Sequence, residues 1–321
     1  MFDPNSLHIV LASDTNYAKL VSVLIVSVFD NNQDFDSITI HLLSNGISEK
    51  AISEIRKHIP DTKGELAIYD ISNIKTLLKV TPPESISISA YSRLFVGSIL
   101  PDTIDKVIYM DVDGIVTGSL WELWNTDINS FHIAGCLDDV EKYAKKAIGL
   151  DLSDAYINSG FLVVNLKKWR KDNIEQKFID FLVGHNGNVY HHDQGLINAV
   201  CKKKYILPPN YNMVTNFFIF PFSNFKQTPF YTKEELQNGT NNPIYIHFTA
   251  GVAGRPWMRN CKHPKKELYI KYLKQTTYNG KPLDKDCRPI RLKLLSLLYF
   301  NCKPLYKVVL LIRSYAKHQI A

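Results

Sequence analysis

Residues 107–113 read Val-Ile-Tyr-Met-Asp-Val-Asp, four apolar residues that run directly into two carboxylates one residue apart. The apolar run predicts a buried strand, and α/β proteins bind ligands at the carboxyl ends of such strands. Side chains at i and i+2 of an extended segment point the same way, so we expect Asp111 and Asp113 to face one ligand. Paired oxygen donors suit Mg²⁺ or Mn²⁺ bound together with substrate phosphates.

The Asp-x-Asp pattern is common, and this chain contains two further copies, at residues 34–36 and 284–286. We expect both of these to be solvated loop charges. The copy at 111–113 differs because it directly follows a buried-type run, where an unpaired carboxylate is costly. We therefore predict a metal or substrate role for Asp111 and Asp113.

The composition, with 45% hydrophobic and 21% charged residues, is that of an ordinary globular protein, and 321 residues can bury a large core. The five cysteines are odd in number and widely spaced, without a Cys-x-x-Cys pair. This pattern disfavours a zinc site or a disulfide framework and fits a reducing compartment. Neither a signal-peptide pattern nor an apolar run long enough to span a bilayer is evident, so we expect a cytoplasmic protein.

The charge is distributed unevenly along the chain. The net charge is +7, but residues 261–321 carry 14 Lys and Arg against three acidic residues, which gives +11 and leaves −4 for the first 260 residues. Residues 290–300 and 305–315 combine aliphatic and aromatic bulk with five basic residues: Arg291, Lys293, Lys303, Lys307 and Arg313. Basic amphipathic segments of this kind lie at membrane surfaces. We predict a catalytic domain over residues 1–261 and a membrane-associating region over 262–321; the alternative is a helical pair packed on the catalytic domain.

The hydrophobic pattern predicts alternating strands and helices, and hence a mostly parallel sheet with helices on both faces. The predicted strands cover residues 7–12, 38–43, 65–69, 106–110, 131–137, 160–166 and 244–248. The predicted helices cover residues 17–29, 89–99, 169–183 and 194–201, with a further helix that is capped by Ser48 and ends at Pro60. Residues 208–226, rich in aromatic residues, Pro and Asn, are expected to form a long ordered loop.

Polar residues follow the first strand, where such a sheet is expected to bind a nucleotide. Asp14 and Asn16 could hydrogen-bond a base or a ribose, although N-capping of the next helix is the favoured explanation. Neither Gly-x-Gly-x-x-Gly nor a P-loop pattern is present, which disfavours a dinucleotide fold and a P-loop enzyme.

A late strand ends at His247, which could be a third metal ligand because a borderline ion accepts nitrogen beside carboxylate. A lone histidine at a strand end is more often a hydrogen-bonded core residue. The next residues, 250–257, contain two glycines and Arg255, whose guanidinium suits phosphate oxygens. Residues 158–160 and 192–194 could be turns or caps, and Asp193 and Gln194 could equally hold sugar hydroxyls.

Six segments stand in one linear order: Ile-Val-Leu-Ala-Ser-Asp-Thr-Asn-Tyr (9–17), Ser-Ile-Ser-Ala-Tyr-Ser-Arg-Leu (87–94), Tyr-Met-Asp-Val-Asp (109–113), Asn-Ser-Gly-Phe-Leu-Val-Val-Asn-Leu-Lys-Lys-Trp-Arg (158–170), His-Asp-Gln (192–194) and His-Phe-Thr (247–249). In this order they resemble glycosyltransferase family 8, and most closely its bacterial lipopolysaccharide galactosyl- and glucosyltransferases. The resemblance covers about residues 7–260. It implies an α/β fold of the GT-A type, here followed by a small basic helical C-terminal tail.

The resemblance also implies a UDP-galactose or UDP-glucose donor, and Mn²⁺, with Mg²⁺ as the alternative ion, held by Asp111, Asp113 and His247. It implies transfer with retention to a saccharide or lipid-linked glycan acceptor, such as lipopolysaccharide, lipooligosaccharide or another surface glycan. We expect the enzyme to associate peripherally with the inner face of the membrane, where its basic C-terminal tail binds the anionic membrane surface. We expect no nucleic-acid partner.

Individual residues match the family's site. The predicted donor contacts are Ala12, Asp14, Asn16, Tyr17, Ile86, Arg93, Asp111, Val112, Asn158, Ser159, Gly160, Asp193, Gln194, His247, Gly251 and Arg255. The predicted catalytic residues are Gln194, Asp193 and Asp138, the last on the acceptor side. The family usually ends its motif in His-[Phe/Tyr]-x-Gly-x-x-Lys-Pro-Trp. This chain has two extra residues there, and Arg255 stands where lysine is expected.

Two other classes remain as alternatives. Asp111-Val-Asp113-Gly114 also resembles the opening motif of haloacid dehalogenase phosphatases, in which the first Asp is a nucleophile; at least three strands precede it here, whereas that motif normally opens its domain. A binding module without catalysis is the second alternative. For a transferase we favour front-side attack over a covalent intermediate, because Gln194 is a carboxamide and a poor nucleophile.

Overall fold

The structure is a computed structural model that describes residues 2–80, 88–227 and 229–309. Its strands are β1 (Ser6–Ser13), β2 (Ser37–Ser44), β3 (Gly64–Asp70), β4 (Lys106–Met110), β5 (Gly114–Val116), β6 (Ile133–Leu137), β7 (Ile157–Asn165), β8 (Tyr205–Ile206), β9 (Met213–Val214) and β10 (Tyr245–His247). They form two sheets, one with the order β3-β2-β1-β4-β7-β6-β8 and a smaller one with the order β5-β10-β9.

The helices over the same ranges are α1 (Ala18–Asn31), α2 (Glu49–Arg56), α3 (Ile74–Leu77), α4 (Ile88–Tyr91), α5 (Val96–Ile99), α6 (Trp121–Trp124), α7 (Lys142–Ala147), α8 (Leu166–Lys171), α9 (Ile174–Gly184), α10 (His192–Val200), α11 (Thr215–Ile219), α12 (Lys233–Asn241), α13 (Lys266–Leu273) and α14 (Ile290–Asn301). Short 3₁₀ turns connect several of them. Of these helices, none combines the length and apolar character that crossing a bilayer requires.

The predicted α/β class with a mostly parallel sheet is confirmed. Strand β1 pairs in parallel with β2 and β4, and β2 pairs in parallel with β3. Strand β7 is the antiparallel member, paired with β4 and β6. Along β1, Leu7, Ile9 and Leu11 join one hydrophobic cluster and Val10 joins another. Since alternate residues face opposite sides of a strand, the sheet is buried on both faces, which explains its continuous apolar sequence.

The helix predictions fail where the backbone turns without a strong sequence signal. The helix expected over 169–183 is two helices, α8 and α9, separated at Asn173, whose φ of 49° is left-handed. The segment 89–99 is broken into α4, a 3₁₀ turn and α5. The loop expected over 208–226 contains β9 and α11, and the capped helix α12 was not predicted.

The pair Asp111 and Asp113 lies in a bend that joins the two sheets. Strand β4 ends at Met110 in the large sheet, and β5 begins at Gly114 in the small one. The predicted strand that leads to the pair is therefore confirmed, but residues 111–113 form a bend and not the extended segment from which we argued that the two side chains point the same way. Strand β10 pairs antiparallel with β5, with His247 opposite Gly114. This register, and not strand alternation, brings the two carboxylates to the histidine.

The residues after 262 pack on the same core. Tyr269, Tyr272 and Leu273 of α13 belong to one hydrophobic cluster with Ile115 and Ile246 of the small sheet. The change of charge near residue 262 therefore does not coincide with a break in the hydrophobic packing. Further on, one face of α14 is buried in a separate cluster with the loop that follows β10.

The expectation of solvated carboxylates at 284–286 holds for Asp284, which is exposed although paired, and is wrong for Asp286, which is buried in an ion pair. Asp284 accepts from Lys19 at 2.7 Å. Asp286 forms an ion pair with Arg288 at 2.8 Å, and both of those side chains are less than a tenth exposed. At the other copy of the pattern, residues 34–36, the expectation holds for both carboxylates, because Asp34 and Asp36 are exposed.

Candidate active site

Asp111, Asp113 and His247 form a cluster that fits a divalent metal ion. Each offers one ligand atom, and the three atoms lie within 4.8 Å of one another. His247 Nε2 is 2.9 Å from Asp113 Oδ1 and 3.8 Å from Asp111 Oδ2. Two carboxylate oxygens and one imidazole nitrogen suit a borderline ion such as Mn²⁺ better than a soft one. The sequence prediction that these three residues would meet is confirmed.

The imidazole of His247 is oriented by Asn212, a residue that sequence reasoning missed. Asn212 Oδ1 lies 3.1 Å from His247 Nδ1, and Asn212 is 1% exposed. With the proton on Nδ1 donated to this oxygen, the lone pair of Nε2 faces the carboxylates, as in most metal-binding histidines. Asn212 Nδ2 also donates to Asn158 Oδ1 at 2.9 Å, which ties Asn158 to the cluster.

Gly160 lets the strands that carry the cluster approach closely. A Cβ atom at this position would lie 2.3 Å from His247 Cε1 and 2.7 Å from Asp111 Oδ2. Its carbonyl oxygen accepts from the backbone N–H of Asp111 at 2.8 Å. Any side chain at residue 160 would therefore displace two of the three candidate ligands.

Arg93 is buried at the base of the site and holds two carboxylates. Its Nη2 donates to Asp111 Oδ1 at 2.7 Å, and its Nε lies 3.2 Å from Asp193 Oδ2. Its Nη1 donates to the backbone oxygen of Ser159 at 2.6 Å. Burial raises the pKa of the Asp193 carboxyl, and Arg93 opposes that shift. The guanidinium thus neutralises acidic groups that would otherwise repel one another and an approaching phosphate.

Burial and the neighbouring charges shift the pKa values of His247 and Asp113 in opposite directions. Burial alone would lower the pKa of His247, but Asp113 outweighs it and raises the pKa of the imidazole. Burial alone would raise the pKa of Asp113, but His247 and then Arg255 lower it. The site therefore stabilises an ionised Asp113 beside positive charge, which is the electrostatic condition that a bound cation satisfies.

Arg255 approaches the cluster from the loop after β10. Its Nη2 donates to Asp113 Oδ2 at 3.2 Å, and its guanidinium lies 5.4 Å from the ring centre of Trp257. Its Nε is buried and has no hydrogen-bond partner in the part of the chain that the structure describes. The arginine predicted as a clamp thus lies directly against a carboxylate of the candidate metal site.

One cleft joins many of the predicted donor residues. It is lined by Ala12, Ser13, Asp14, Tyr17, Ser89, Ala90, Arg93, Tyr109, Asp111, Val112, Asp113 and Arg255. Asp14 also caps the turn after β1, because its Oδ1 accepts from Asn16 N at 2.8 Å. The favoured capping explanation is therefore confirmed, while the same residue faces the cleft. Ile86 lies outside the described residues.

The three predicted catalytic residues form a connected group beside the cluster. Gln194 Oε1 accepts from the backbone N–H of Ser159 at 3.0 Å, and its Nε2 donates to Asp138 Oδ2 at 3.1 Å. Asn158 Nδ2 donates to the same Asp138 oxygen at 3.0 Å. Asp193 precedes Gln194 in the first turn of α10, where His191 and His192 have φ of 57° and 52°. The segments at 158–160 and 192–194, expected just before a strand and a helix, begin β7 and α10 themselves.

Comparisons with known proteins agree with this geometry. The model of the family described as glycosyl transferase family 8 matches residues 8–261. A putative glycosyltransferase of Haemophilus influenzae is 32% identical over 269 residues, which cover 80% of this chain and 75% of that protein. A lipopolysaccharide 1,2-glucosyltransferase of Escherichia coli K12 is 26% identical over 270 residues, covering 82% and 76%. The crystal structure of the galactosyltransferase LgtC with donor and acceptor sugar analogs superposes with a TM-score of 0.73 at 26% identity, covering 86% of this chain and 98% of that one.

Proposed function

The chain belongs to glycosyltransferase family 8, and from this membership we propose that it moves galactose or glucose from a UDP-sugar to a saccharide acceptor with the help of Mn²⁺. It is a retaining hexosyltransferase with a GT-A type fold that acts on glycans. The observation that carries the proposal is the cluster of Asp111, Asp113 and His247 beside Arg255 at one end of a cleft. Its ligand set and neighbouring guanidinium suit a nucleoside diphosphate with its metal.

The alternative of a haloacid dehalogenase phosphatase is not supported. The transferase family model spans the chain from residue 8 to residue 261, so the acidic motif lies well inside the matched domain. In the structure, Asp111 Oδ1 accepts from Arg93 at 2.7 Å and lies 3.2 Å from the Tyr109 hydroxyl. The other oxygen, Oδ2, faces His247 as part of the candidate metal site.

The proposed donor lies along the cleft. Tyr17 lines the cleft and is 42% exposed, so its aromatic face can stack on a uracil base. The diphosphate then reaches the cluster and the guanidinium of Arg255, which lines the same cleft. In this arrangement Asp14 and Asn16, at the turn after β1, contact the ribose.

The proposed reaction separates charge between the sugar and UDP. When bound, the metal ion would supply Lewis-acid stabilisation of the departing diphosphate. Arg255 adds a second positive charge to the same oxygens. Asp193 is paired with Arg93, and Gln194 is a carboxamide held by Ser159 and Asp138, so neither is a free carboxylate nucleophile. We therefore favour front-side attack by the acceptor hydroxyl, with a phosphate oxygen of the leaving group accepting its proton.

The acceptor side of the proposed site is formed by Asp138 and Gln194. Asp138 accepts both of its side-chain hydrogen bonds through Oδ2, so Oδ1 has no hydrogen-bond partner among the described residues. Both side chains are only half-buried. Carboxylate and amide groups bind sugar hydroxyls well. We propose a saccharide acceptor of the lipopolysaccharide or surface-glycan type, which relatives with this activity support.

The C-terminal helix α14 supports attachment to an anionic membrane. Leu295 and Tyr299 are buried against the catalytic domain, whereas Ile290, Leu294 and Leu297 are 76%, 57% and 61% exposed. The spacing of the exposed residues places them on one helix face. The helix therefore packs on the domain, as the alternative arrangement expected, and its outward apolar side chains support the proposed docking on a membrane. With the basic residues of this region, that face fits the cytoplasmic leaflet; residues 310–315 and Arg313 lie outside the described chain.

The test is a panel of UDP-sugars incubated with the full chain and Mn²⁺, with UDP release as the readout. UDP-galactose or UDP-glucose should be consumed faster than UDP-N-acetylhexosamines, with and without added oligosaccharide. Replacement of Mn²⁺ by Mg²⁺ in the same assay compares the two ions. Release of inorganic phosphate from an aryl phosphate, together with no turnover of any UDP-sugar, would contradict the proposal.

A further inference from the structure

A short segment after α13, residues 284–288, runs beside the donor loop. Asp284 N donates to the backbone oxygen of Trp257 at 2.9 Å, and Arg259 N donates to the backbone oxygen of Asp284 at 2.9 Å. Lys19 of α1 binds the Asp284 carboxylate at 2.7 Å. The segment is therefore fixed both to the chain just after Arg255 and to the first helix of the catalytic domain.

Arg288 connects this segment to the loop of residues 251–254. Its Nη1 donates to the backbone oxygen of Val252 at 2.7 Å and lies 3.3 Å from that of Gly251. Its Nε and Nη2 donate to the two oxygens of Asp286 at 2.9 and 2.8 Å. The hydrogen bond with Arg288 lowers the pKa of Asp286. The guanidinium of Arg288 thus links the Asp286 carboxylate to two backbone carbonyl oxygens of the loop.

The loop is shaped around this guanidinium. Gly254 has φ of +72°, a conformation that favours glycine, and a Cβ atom there would lie 3.2 Å from Arg288 Cζ. Arg255 follows directly and reaches Asp113. The loop is also where this chain has two more residues than the family pattern. A longer loop has more conformational freedom to lose, so it depends more on contacts that order it.

We propose that Arg288 is a positioning residue for the donor diphosphate, which it serves by holding the loop 251–254 so that Arg255 points into the cleft. The inference rests on the proposed function, because it assumes that Arg255 binds the diphosphate. Arg288 makes its loop contacts through backbone oxygens and acts on the donor only through Arg255. A lysine has one compact ammonium group and cannot bind Asp286 and the loop carbonyls in the same forked geometry.

The experiment is calorimetric titration of UDP in the presence of Mn²⁺, arranged as a double-mutant cycle. The proteins are the full chain, Arg288→Gln, Arg255→Ala, the double variant, and Lys285→Gln as a control that removes an exposed positive charge from the same segment. Removal of groups that orient metal ligands typically costs 10–100-fold, and by analogy we expect Arg288→Gln to weaken UDP binding about tenfold. In the Arg255→Ala background the same substitution should cost less than about twofold, since coupled residues are not additive.

The outcomes separate the two proposals. If Arg288→Gln lowers UDP affinity equally in both backgrounds, the role of Arg288 is overturned and the proposed function stands. The same holds if Arg288→Gln leaves UDP affinity unchanged while Arg255→Ala lowers it. Failure of the unmodified chain to bind UDP counts against the function itself. If Arg288→Gln does not fold, Arg288→Lys takes its place. A donor KM raised with kcat little changed supports the positioning role, and an unchanged KM overturns it.

Discussion

His247 and Asp113 face each other across the junction of two sheets, with Nε2 and Oδ1 2.9 Å apart. The contact exists because β10 pairs antiparallel with β5, and the backbone oxygen of Asp113 accepts from Phe248 N at 2.8 Å. A residue from the end of the matched domain is thereby placed against the acidic motif near its middle. The candidate metal site therefore depends on the small sheet as well as on the large one.

Gly160→Ala should strongly reduce metal-dependent turnover. The added methyl would meet His247 Cε1 at 2.3 Å and Asp111 Oδ2 at 2.7 Å, and both atoms belong to candidate ligands. We expect turnover of the UDP-sugar to fall by about 100-fold, as for a misplaced reacting group. Gly184→Ala is the matched control, because nothing lies within 4 Å of its added methyl. Equal turnover in the two variants would show that the glycine is not needed at the site.

Arg255→Ala should weaken UDP binding by about 1.5–3 kcal/mol, the usual contribution of a hydrogen bond to a charged group. Arg255→Lys should recover part of this affinity, because the charge returns without the forked donor geometry. Calorimetry on the three proteins measures the series. If the affinity of Arg255→Ala for UDP is unchanged, another residue must bind the diphosphate.

His41→Gln should make stability less sensitive to acid. Burial, and secondarily the neighbouring His8, lowers the pKa of His41 from 6.5 to about 3. Below pH 6.5 the unfolded chain therefore binds a proton that the folded protein does not bind. The stability contributed by the neutral imidazole is complete above pH 6.5 and is lost as the pH falls toward 3. At pH 5 the resulting loss in the free energy of unfolding is about 2 kcal/mol.

The measurement is urea unfolding at pH 7.5 and pH 5. We expect the decrease in the free energy of unfolding between the two pH values to be smaller in His41→Gln than in the unmodified protein. His185→Gln, an exposed histidine on α9's C-terminal side, serves as the control and should behave like the parent. The same decrease in all three proteins would exclude His41 as a source of the acid sensitivity.

Substitution of Leu294 and Leu297 together by Gln should weaken binding to anionic vesicles about tenfold or more, because two exposed leucines lose their burial in the lipid interface. The melting temperature should be unchanged, since both side chains point away from the domain. Co-sedimentation with vesicles of anionic lipid at low salt measures the effect. Leu152→Gln, which alters another exposed leucine, is the control. Equal sedimentation of all forms would contradict docking through α14.

The strands of the large sheet and the acidic pair could be predicted because their signal is local. Apolar runs such as residues 7–12 and 106–110 occupy buried strands within about a residue of the expected bounds. Parallel strands bring their carboxyl ends to one edge, which is why the polar residues after them could be assigned to one site. The position of His247 at the end of a predicted strand left a metal ligand and a core histidine both open, and the resemblance to the family assigned it to the metal.

The rest of the site depends on contacts that leave no local pattern. Strands β5 and β9 have three and two residues, too few for a hydrophobic period. Asn212 lies in a segment that reads as a loop, and its importance follows only from its position beside His247. The charge of residues 262–321 pointed to a separate region, yet Tyr269 and Tyr272 pack on the catalytic core because aromatic burial outweighs the surrounding lysines.

The most direct test of the account is the metal dependence of donor turnover. The full chain, freed of metal with EDTA and then transferred to buffer with or without Mn²⁺, is assayed for UDP release from UDP-galactose and UDP-glucose. Asp113→Asn is assayed in parallel, with Asp36→Asn as a control taken from an exposed copy of the same motif. We predict turnover that requires Mn²⁺ in the parent and in Asp36→Asn, and almost none in Asp113→Asn. Undiminished turnover in EDTA, or full activity of Asp113→Asn, would contradict the assignment of the metal site.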